Sequence, residues 1–178
     1  MAEPIDILLK QAAEARRESR PLDAKRHLSA AIDQLRQRPG DWRLAPALRE
    51  QGEVERNLHD YDAAHTCYEE AIAIYRTISQ PLKLAHTIRH LGDVYRQMGK
   101  PQLAEPCYRE ALALYRDHPE APPLDLANAI RSMALLQEEI GGRELAKALW
   151  TEARELYAAV DISAGVAESE RRMALLAG

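Results

Sequence analysis

A fixed pattern of large and small residues returns every 40 to 42 positions along most of this chain. The clearest copy places an aliphatic residue, a small residue, Ala, a large residue, Ala and a large residue at Ile88, Gly92, Ala104, Tyr108, Ala111 and Tyr115. The same columns are Leu48, Gly52, Ala64, Tyr68, Ala71 and Tyr75; Leu8, Ala12, Ala24, Leu28, Ala31 and Leu35; and Ile130, Ala134, Ala146, Trp150, Ala153 and Tyr157. Such a period, with constant internal spacing, predicts a stacked-repeat architecture.

Each copy is predicted to be a helical hairpin. Apolar and small residues before Gly99 recur with helical spacing, and glycine readily ends a helix in the left-handed conformation. Pro101 suits the first turn of the following helix, where its missing N–H is not needed. One hairpin can bury only one side of itself, so stability requires neighbouring repeats. Gly52 and Gly92 fall inside helices, and we expect them to allow two helix backbones to approach closely.

These columns resemble the tetratricopeptide repeat (TPR), whose usual length is about 34 residues. The longer period is similar to the repeats of kinesin light chains and of peptide-sensing bacterial regulators. The words AEPCYREALALYR and Asp117-His118-Pro119 resemble the light-chain repeats in particular. The resemblance covers about residues 5–160. It implies an all-α fold: a right-handed α-solenoid of four TPR-like hairpins, followed by a C-terminal capping helix.

The repeats are expected at about 5–38, 42–79, 82–117 and 124–160, and the capping helix at 164–177, within a single domain over 1–178. The final segment repeats the first helix of a hairpin and lacks a second one. A solenoid end needs a polar outer face, and Glu168, Glu170, Arg171 and Arg172 suit that position.

Composition restricts the class of partner. The formal net charge is −4 and the sequence pI is about 5.9, which argues against a nucleic-acid partner. The N-terminal residues lack the apolar core of a secretory signal, and no apolar run approaches the roughly 18 residues that span a bilayer. We therefore expect a soluble cytoplasmic protein without a membrane partner. Cys67 and Cys107 occupy equivalent positions and are expected to be buried thiols rather than a disulfide.

The sequence contains no persuasive catalytic pattern. A glycine-rich phosphate loop and CxxC are absent, so we expect a non-catalytic protein without a cofactor. His86 and His90 are four residues apart and can share a helix face, which suits two ligands of a metal. A metal-binding protein or enzyme centred on this pair remains one alternative, although the sequence provides no evident third ligand.

The TPR resemblance implies that the first helix of each hairpin lines a concave groove that holds a peptide. Arginine recurs there in two series, Arg16, Arg56 and Arg96, and Arg49, Arg89 and Arg131. The full set of candidate groove residues is Arg16, Arg49, Arg56, His86, Arg89, Arg96, Asn128 and Arg131.

Because guanidinium groups bind carboxylates in a bidentate fork, these series predict a scaffold for an acidic peptide or a C-terminal carboxylate. A competing interpretation is that the arginines pair within their own helices, as Arg49–Glu53 and Arg89–Asp93 can at i,i+4 spacing. Arg131 is the strongest candidate, because Leu135 leaves it without an i+4 acid. A further alternative is a module for homo-oligomerisation or structural assembly.

Overall fold

The computed structural model describes residues 3–177, and every regular element in that range is an α-helix. The helices are α1 (Pro4–Arg17), α2 (Pro21–Arg36), α3 (Leu44–Asn57), α4 (Tyr61–Thr77), α5 (Pro81–Gln97), α6 (Pro101–Arg116), α7 (Pro123–Glu139), α8 (Arg143–Ala159) and α9 (Ser163–Leu175). The predicted all-α repeat architecture is confirmed. The chain divides after Gln80 into two compact units, which we call the N-terminal unit and the C-terminal unit.

In the N-terminal unit, α1 pairs with α2, α2 packs on α3, and α3 pairs with α4. Its core uses the repeat columns directly, with Ala12, Ala24, Leu28 and Val54 in one buried cluster. Small alanines let the paired helices approach, while the large residue of each column fills the space between them.

In the C-terminal unit, α5 to α8 form two hairpins, and α9 packs on α8 in the position of a further first helix. The core cluster joins the buried rings of Tyr108, Tyr115, Trp150 and Tyr157 to alanines of the same columns. Only Gly165 and Ser169 of α9 are buried. The capping helix therefore contributes one narrow face to the core and exposes most of its surface.

A left-handed residue ends the first helix of each hairpin. The positions are equivalent in the four repeats: Ser19 (φ 55°), His59 (φ 62°), Gly99 (φ 68°) and Gly141 (φ 83°). In each case the next backbone N–H donates to a carbonyl of the preceding helix, as Lys100 does to Tyr95 at 2.9 Å. This is the Schellman arrangement, and it explains why the spacing within the hairpin does not vary.

Two expectations about small side chains were wrong. Gly52 and Gly92 do not lie against a second backbone, because the rings of Tyr68 and Tyr108 cover them. Cys67 and Cys107 do not form a disulfide, as expected, but they are half-buried rather than buried. Partial burial still raises the pKa of Cys67, to about 11.

Candidate functional site

Two candidate arginines of the N-terminal unit share the same two carboxylates. Arg16 of α1 pairs with Glu50 at 3.1 Å and with Glu53 at 2.7 Å, both on α3. Arg49 lies 3.4 Å from Glu50 and 3.8 Å from Glu53. Two guanidinium groups and two carboxylates therefore form a neutral cluster. The shortest of these ion pairs joins different hairpins, not neighbouring turns of one helix.

A cleft of about 680 Å³ opens beside this cluster. Its lining residues come from α1, the turn that follows it, the start of α2, and α3: Ala13, Arg16, Arg17, Ser19, Arg20, Pro21, Glu50, Glu53, Val54 and Asn57. Arg56, another candidate, is half-buried on α3 and is not part of the lining. The N-terminal unit thus offers a cleft of mixed charge.

In the C-terminal unit, Arg89 is mostly buried on α5, with 11% of its side chain exposed. Its Nη1 donates to Asp93 at 3.4 Å, and its Nε is buried without a hydrogen-bond partner. Charge-assisted N–H···O bonds are ordinarily about 2.7–2.9 Å long. The predicted i,i+4 pair exists, but it satisfies this guanidinium poorly.

His86 and His90 lie together, as their spacing predicted. Their Nε2 atoms are 3.1 Å apart, and Nη2 of Arg89 lies 3.0 Å from Nε2 of His90. Nδ1 of His90 faces Asp93 at 3.4 Å. Because Nη2 of Arg89 can only donate, Nε2 of His90 is its acceptor, and the ring proton of His90 is then on Nδ1, which faces Asp93. The imidazoles therefore continue the polar chain that Arg89 begins.

Among residues 3–177, the structure adds no third metal ligand to His86 and His90. Within residues 3–177, no group of three or more His, Cys, Asp or Glu side chains is arranged to hold a metal ion. The guanidinium beside His90 also places a positive charge where a cation would bind.

Asp93 joins three helices of the C-terminal unit. Its Oδ1 accepts from the hydroxyl of Tyr108 on α6 at 2.9 Å and from the hydroxyl of Ser132 on α7 at 3.1 Å. Asp93 and Ser132 are both buried. The sequence pattern indicated Asp93 as an i,i+4 partner of Arg89. The tyrosine column could have indicated Tyr108 as a further partner, but nothing in the sequence indicated Ser132.

Two candidates on α7 are held by side chains of later helices. The hydroxyl of Tyr157 donates to Oδ1 of Asn128 at 2.8 Å. Arg131 donates to Glu168 of α9 through Nε at 2.7 Å and Nη2 at 2.8 Å. Arg131 has no acid at i+4, as the sequence indicated, but Glu168 of the capping helix, 37 residues along the chain, supplies one. This arginine holds the pKa of Glu168 below its ordinary value.

The remaining candidate, Arg96, also pairs between hairpins. Its Nη1 donates to Glu139 of α7 at 2.5 Å, while its Nε is buried without a partner. Arg96 and Arg131 therefore each donate to a carboxylate on the next first helix along the chain. The carboxylate contact of Arg89, in contrast, is long and lies within α5. The structure brings His86, Arg89, Asn128 and Arg131 onto the neighbouring first helices α5 and α7.

Residues 43–117 match the family model described as tetratricopeptide repeat. This segment, which includes α3 to α6, is therefore similar to tetratricopeptide repeats. Among curated proteins, no sequence matches this chain. No helix within residues 3–177 has both the length and the apolar character needed to cross a membrane.

Several solved structures have a similar fold. The Rap conjugation gene regulator of the plasmid pLS20, in complex with the Phr* peptide, is 18% identical with a TM-score of 0.72 over 84% of this chain and 41% of its own. Aspartyl phosphate phosphatase F from Bacillus subtilis is 14% identical with a TM-score of 0.87 over 99% of this chain and 46% of its own. A Rap protein complexed with Competence and Sporulation Factor is 14% identical with a TM-score of 0.82 over 95% and 48%. This chain thus spans less than half the length of each.

Proposed function

We propose that this chain is a non-catalytic TPR scaffold that binds a peptide segment, and that Arg89 binds a carboxylate of that peptide. The observation that carries the proposal is the poor satisfaction of the Arg89 guanidinium. Its carboxylate contact is 3.4 Å long, and its Nε is buried without a partner. Charge-assisted hydrogen bonds are ordinarily about 2.7–2.9 Å long, so a ligand carboxylate that approaches the Nη atoms more closely than Asp93 does gains free energy.

Comparison with the other candidate arginines supports this choice. Arg16 and Arg131 each have a carboxylate contact of 2.7 Å already. Arg49 also has long ion pairs, at 3.4 and 3.8 Å, but with two carboxylates. The carboxylate contact of Arg89 is a 3.4 Å contact with Asp93, so a ligand carboxylate has more to gain at Arg89 than at Arg16 or Arg131. The planar fork of an arginine also favours a carboxylate over other anionic shapes.

Two neighbouring side chains suit the main chain of a peptide. Tyr157 holds Oδ1 of Asn128 and thereby orients its amide, whose nitrogen can donate to a peptide carbonyl. His86 is half-buried beside Arg89 and His90, and its imidazole can exchange a hydrogen bond with a peptide group. Arg89 would then select acidic peptides, while Asn128 would bind any sequence.

The similar structures support peptide binding by analogy of fold. One of them is a Rap regulator in complex with the Phr* peptide. The phosphatase name belongs to a protein of which this chain spans 46%, and we propose no catalytic role for the present chain. The proposed partner is a peptide or a segment of a protein, without nucleic acid.

The experiment is a binding screen with an octapeptide library in which Asp is fixed at each position in turn, with free and with amidated C termini. Arg89→Gln removes the charge and keeps polar groups in place. Loss of one charge-assisted contact corresponds to at least about tenfold weaker binding. Arg109→Gln is the matched control, because Arg109 is on the second helix of the same hairpin, 70% exposed and paired with Glu105.

Circular dichroism of both variants checks that the helices are retained. Acidic peptides that bind the wild type and the Arg109 variant, and lose affinity with the Arg89 variant, support the proposal. Equal affinity for the Arg89 and Arg109 variants, or no peptide binding by the wild type, contradicts it.

A further inference from the structure

Arg131 is held by Glu168 in the geometry with which arginine binds a carboxylate ligand. Both oxygens of Glu168 accept, one from Nε at 2.7 Å and the other from Nη2 at 2.8 Å. The two side chains retain exposures of 37% and 20%. A bidentate pair that solvent still reaches can exchange its carboxylate for another one, because the guanidinium does not have to move.

Glu168 comes from the element that is least buried in the C-terminal unit. Only Gly165 and Ser169 of α9 are buried, and a second ion pair, Arg172 with Glu138 at 3.2 Å, links the same two helices. Rotation of one side chain about its own bonds moves the Glu168 carboxylate into solvent without any change in α9. The pKa of Glu168 is lowered by Arg131, so the group that leaves is a carboxylate at neutral pH.

Arg131 is also close to a group that can hold a peptide main chain. Asn128 precedes it by three residues on α7, and residues at i,i+3 spacing are neighbours on a helix surface. A peptide held at Asn128 presents a nearby carboxylate to Arg131 at high effective concentration. Such a carboxylate competes with Glu168 far better than a free anion does.

We propose that Arg131 is a second carboxylate-binding site, which Glu168 of the capping helix fills until an acidic side chain or C-terminal carboxylate of a bound peptide replaces it. This inference rests on the proposed function, because it adds a second contact to the same peptide. Glu168 then acts as an internal competitor. It weakens the binding of every peptide that needs Arg131, and it leaves other peptides unaffected.

The test compares Glu168→Gln with Glu170→Gln against the same octapeptide library. Glu170 is on the same helix and is exposed, so it controls for the change in net charge. A partly exposed ion pair contributes about 1 kcal/mol or less; its removal should therefore tighten binding of the selected acidic peptides by up to about fivefold. The Glu170 variant should bind as the wild type does.

The double variant Arg131→Gln, Glu168→Gln leaves no unpaired charge and should lose the gain. A gain that persists in this double variant, or that also appears with Glu170→Gln, overturns the inference. So does equal affinity of the Glu168 variant and the wild type for every acidic peptide of the library.

A measurement in the absence of peptide tests this inference separately from the proposed function. The Nε–Hε resonance of Arg131 in NMR spectra should shift upfield in Glu168→Gln and remain in place in Glu170→Gln, since only the former removes the acceptor. No shift in either variant overturns the occupied site even if peptides bind. If the resonance shifts in Glu168→Gln but no peptide binds, the ion pair between Arg131 and Glu168 is supported. The proposed function and the exchange of carboxylates at Arg131 are then both overturned.

Discussion

The ring of Tyr108 covers Gly92 so closely that a Cβ atom on Gly92 would lie 2.6 Å from Cε1 of Tyr108. The ring cannot easily move away, because its hydroxyl donates to Asp93, the residue after Gly92, at 2.9 Å. Gly52 and Tyr68 repeat the ring contact at 2.8 Å in the N-terminal unit. The first hairpin has Ala12 with Leu28 in these columns, and the last has Ala134 with Trp150. Tyrosine in the large column is therefore accompanied by glycine in the small column.

Gly92→Ala should destabilise the protein, although alanine favours a helix by about 1 kcal/mol relative to glycine. Overpacking in a core is unfavourable by about 1–3 kcal/mol, and Tyr108 is fully buried. We expect a net loss of roughly 1 kcal/mol in the free energy of unfolding, measured by urea denaturation. The double variant Gly92→Ala, Tyr108→Leu reproduces the pairing of the first hairpin and should recover part of the loss. An increase in stability for the single variant would contradict the contact.

The left-handed turn positions predict opposite effects for two substitutions. Ser19 and Gly99 are equivalent residues at φ 55° and φ 68°. Because a side chain in this region is unfavourable by about 1–2 kcal/mol, Ser19→Gly should raise the thermal unfolding temperature and Gly99→Ser should lower it. Calorimetry of the two variants measures both shifts. Shifts of the same sign would contradict a shared turn conformation.

Ser132→Ala should weaken the packing of α7 on α5. Ser132 is buried and donates to Asp93 at 3.1 Å, and a hydrogen bond to a charged group contributes about 1.5–3 kcal/mol. The expected loss of unfolding free energy is at the lower end of that range, since Tyr108 continues to donate to Asp93. Ser29→Ala, at an exposed position of α2, is the control in the same urea titration. Equal midpoints for the two variants would exclude a contribution from this bond.

Buried tyrosines predict a loss of stability at alkaline pH. Burial raises the pKa of Tyr115 to about 12, although the charge of Arg89 opposes the rise. In the unfolded chain a tyrosine ionises near pH 10, so the unfolded state releases its proton first. Stability is therefore complete below about pH 10 and falls as the pH rises towards 12.

Tyr115→Phe should show a smaller fall in unfolding free energy between pH 9 and pH 11 than the wild type does. Urea midpoints at each pH, together with tyrosinate absorbance, measure the effect. Identical pH dependence for the variant and the wild type would show that Tyr115 does not titrate differently in the folded state.

The repeated columns were sufficient to predict the helical hairpins and the resemblance to tetratricopeptide repeats that residues 43–117 show. Helical spacing, left-handed turns and alanine-rich faces are local properties, and four copies of one pattern reinforce each other. The same pattern located His86 beside His90 and the pair between Arg89 and Asp93, because residues at i,i+4 spacing are always neighbours on a helix.

Local spacing did not reveal which arginines are already satisfied. The short contacts of Arg16 with Glu53, Arg96 with Glu139 and Arg131 with Glu168 join side chains 37 to 43 residues apart. Their distances depend on how one hairpin stacks on the next. The amino-acid sequence alone thus determined the repeat and the helix faces that carry the candidate residues. Tertiary packing alone decided that Glu168 pairs with Arg131, whereas the ion pair of Arg89 with Asp93 is long. The reason is that the stacking of helices determines which charges from distant parts of the chain come into contact.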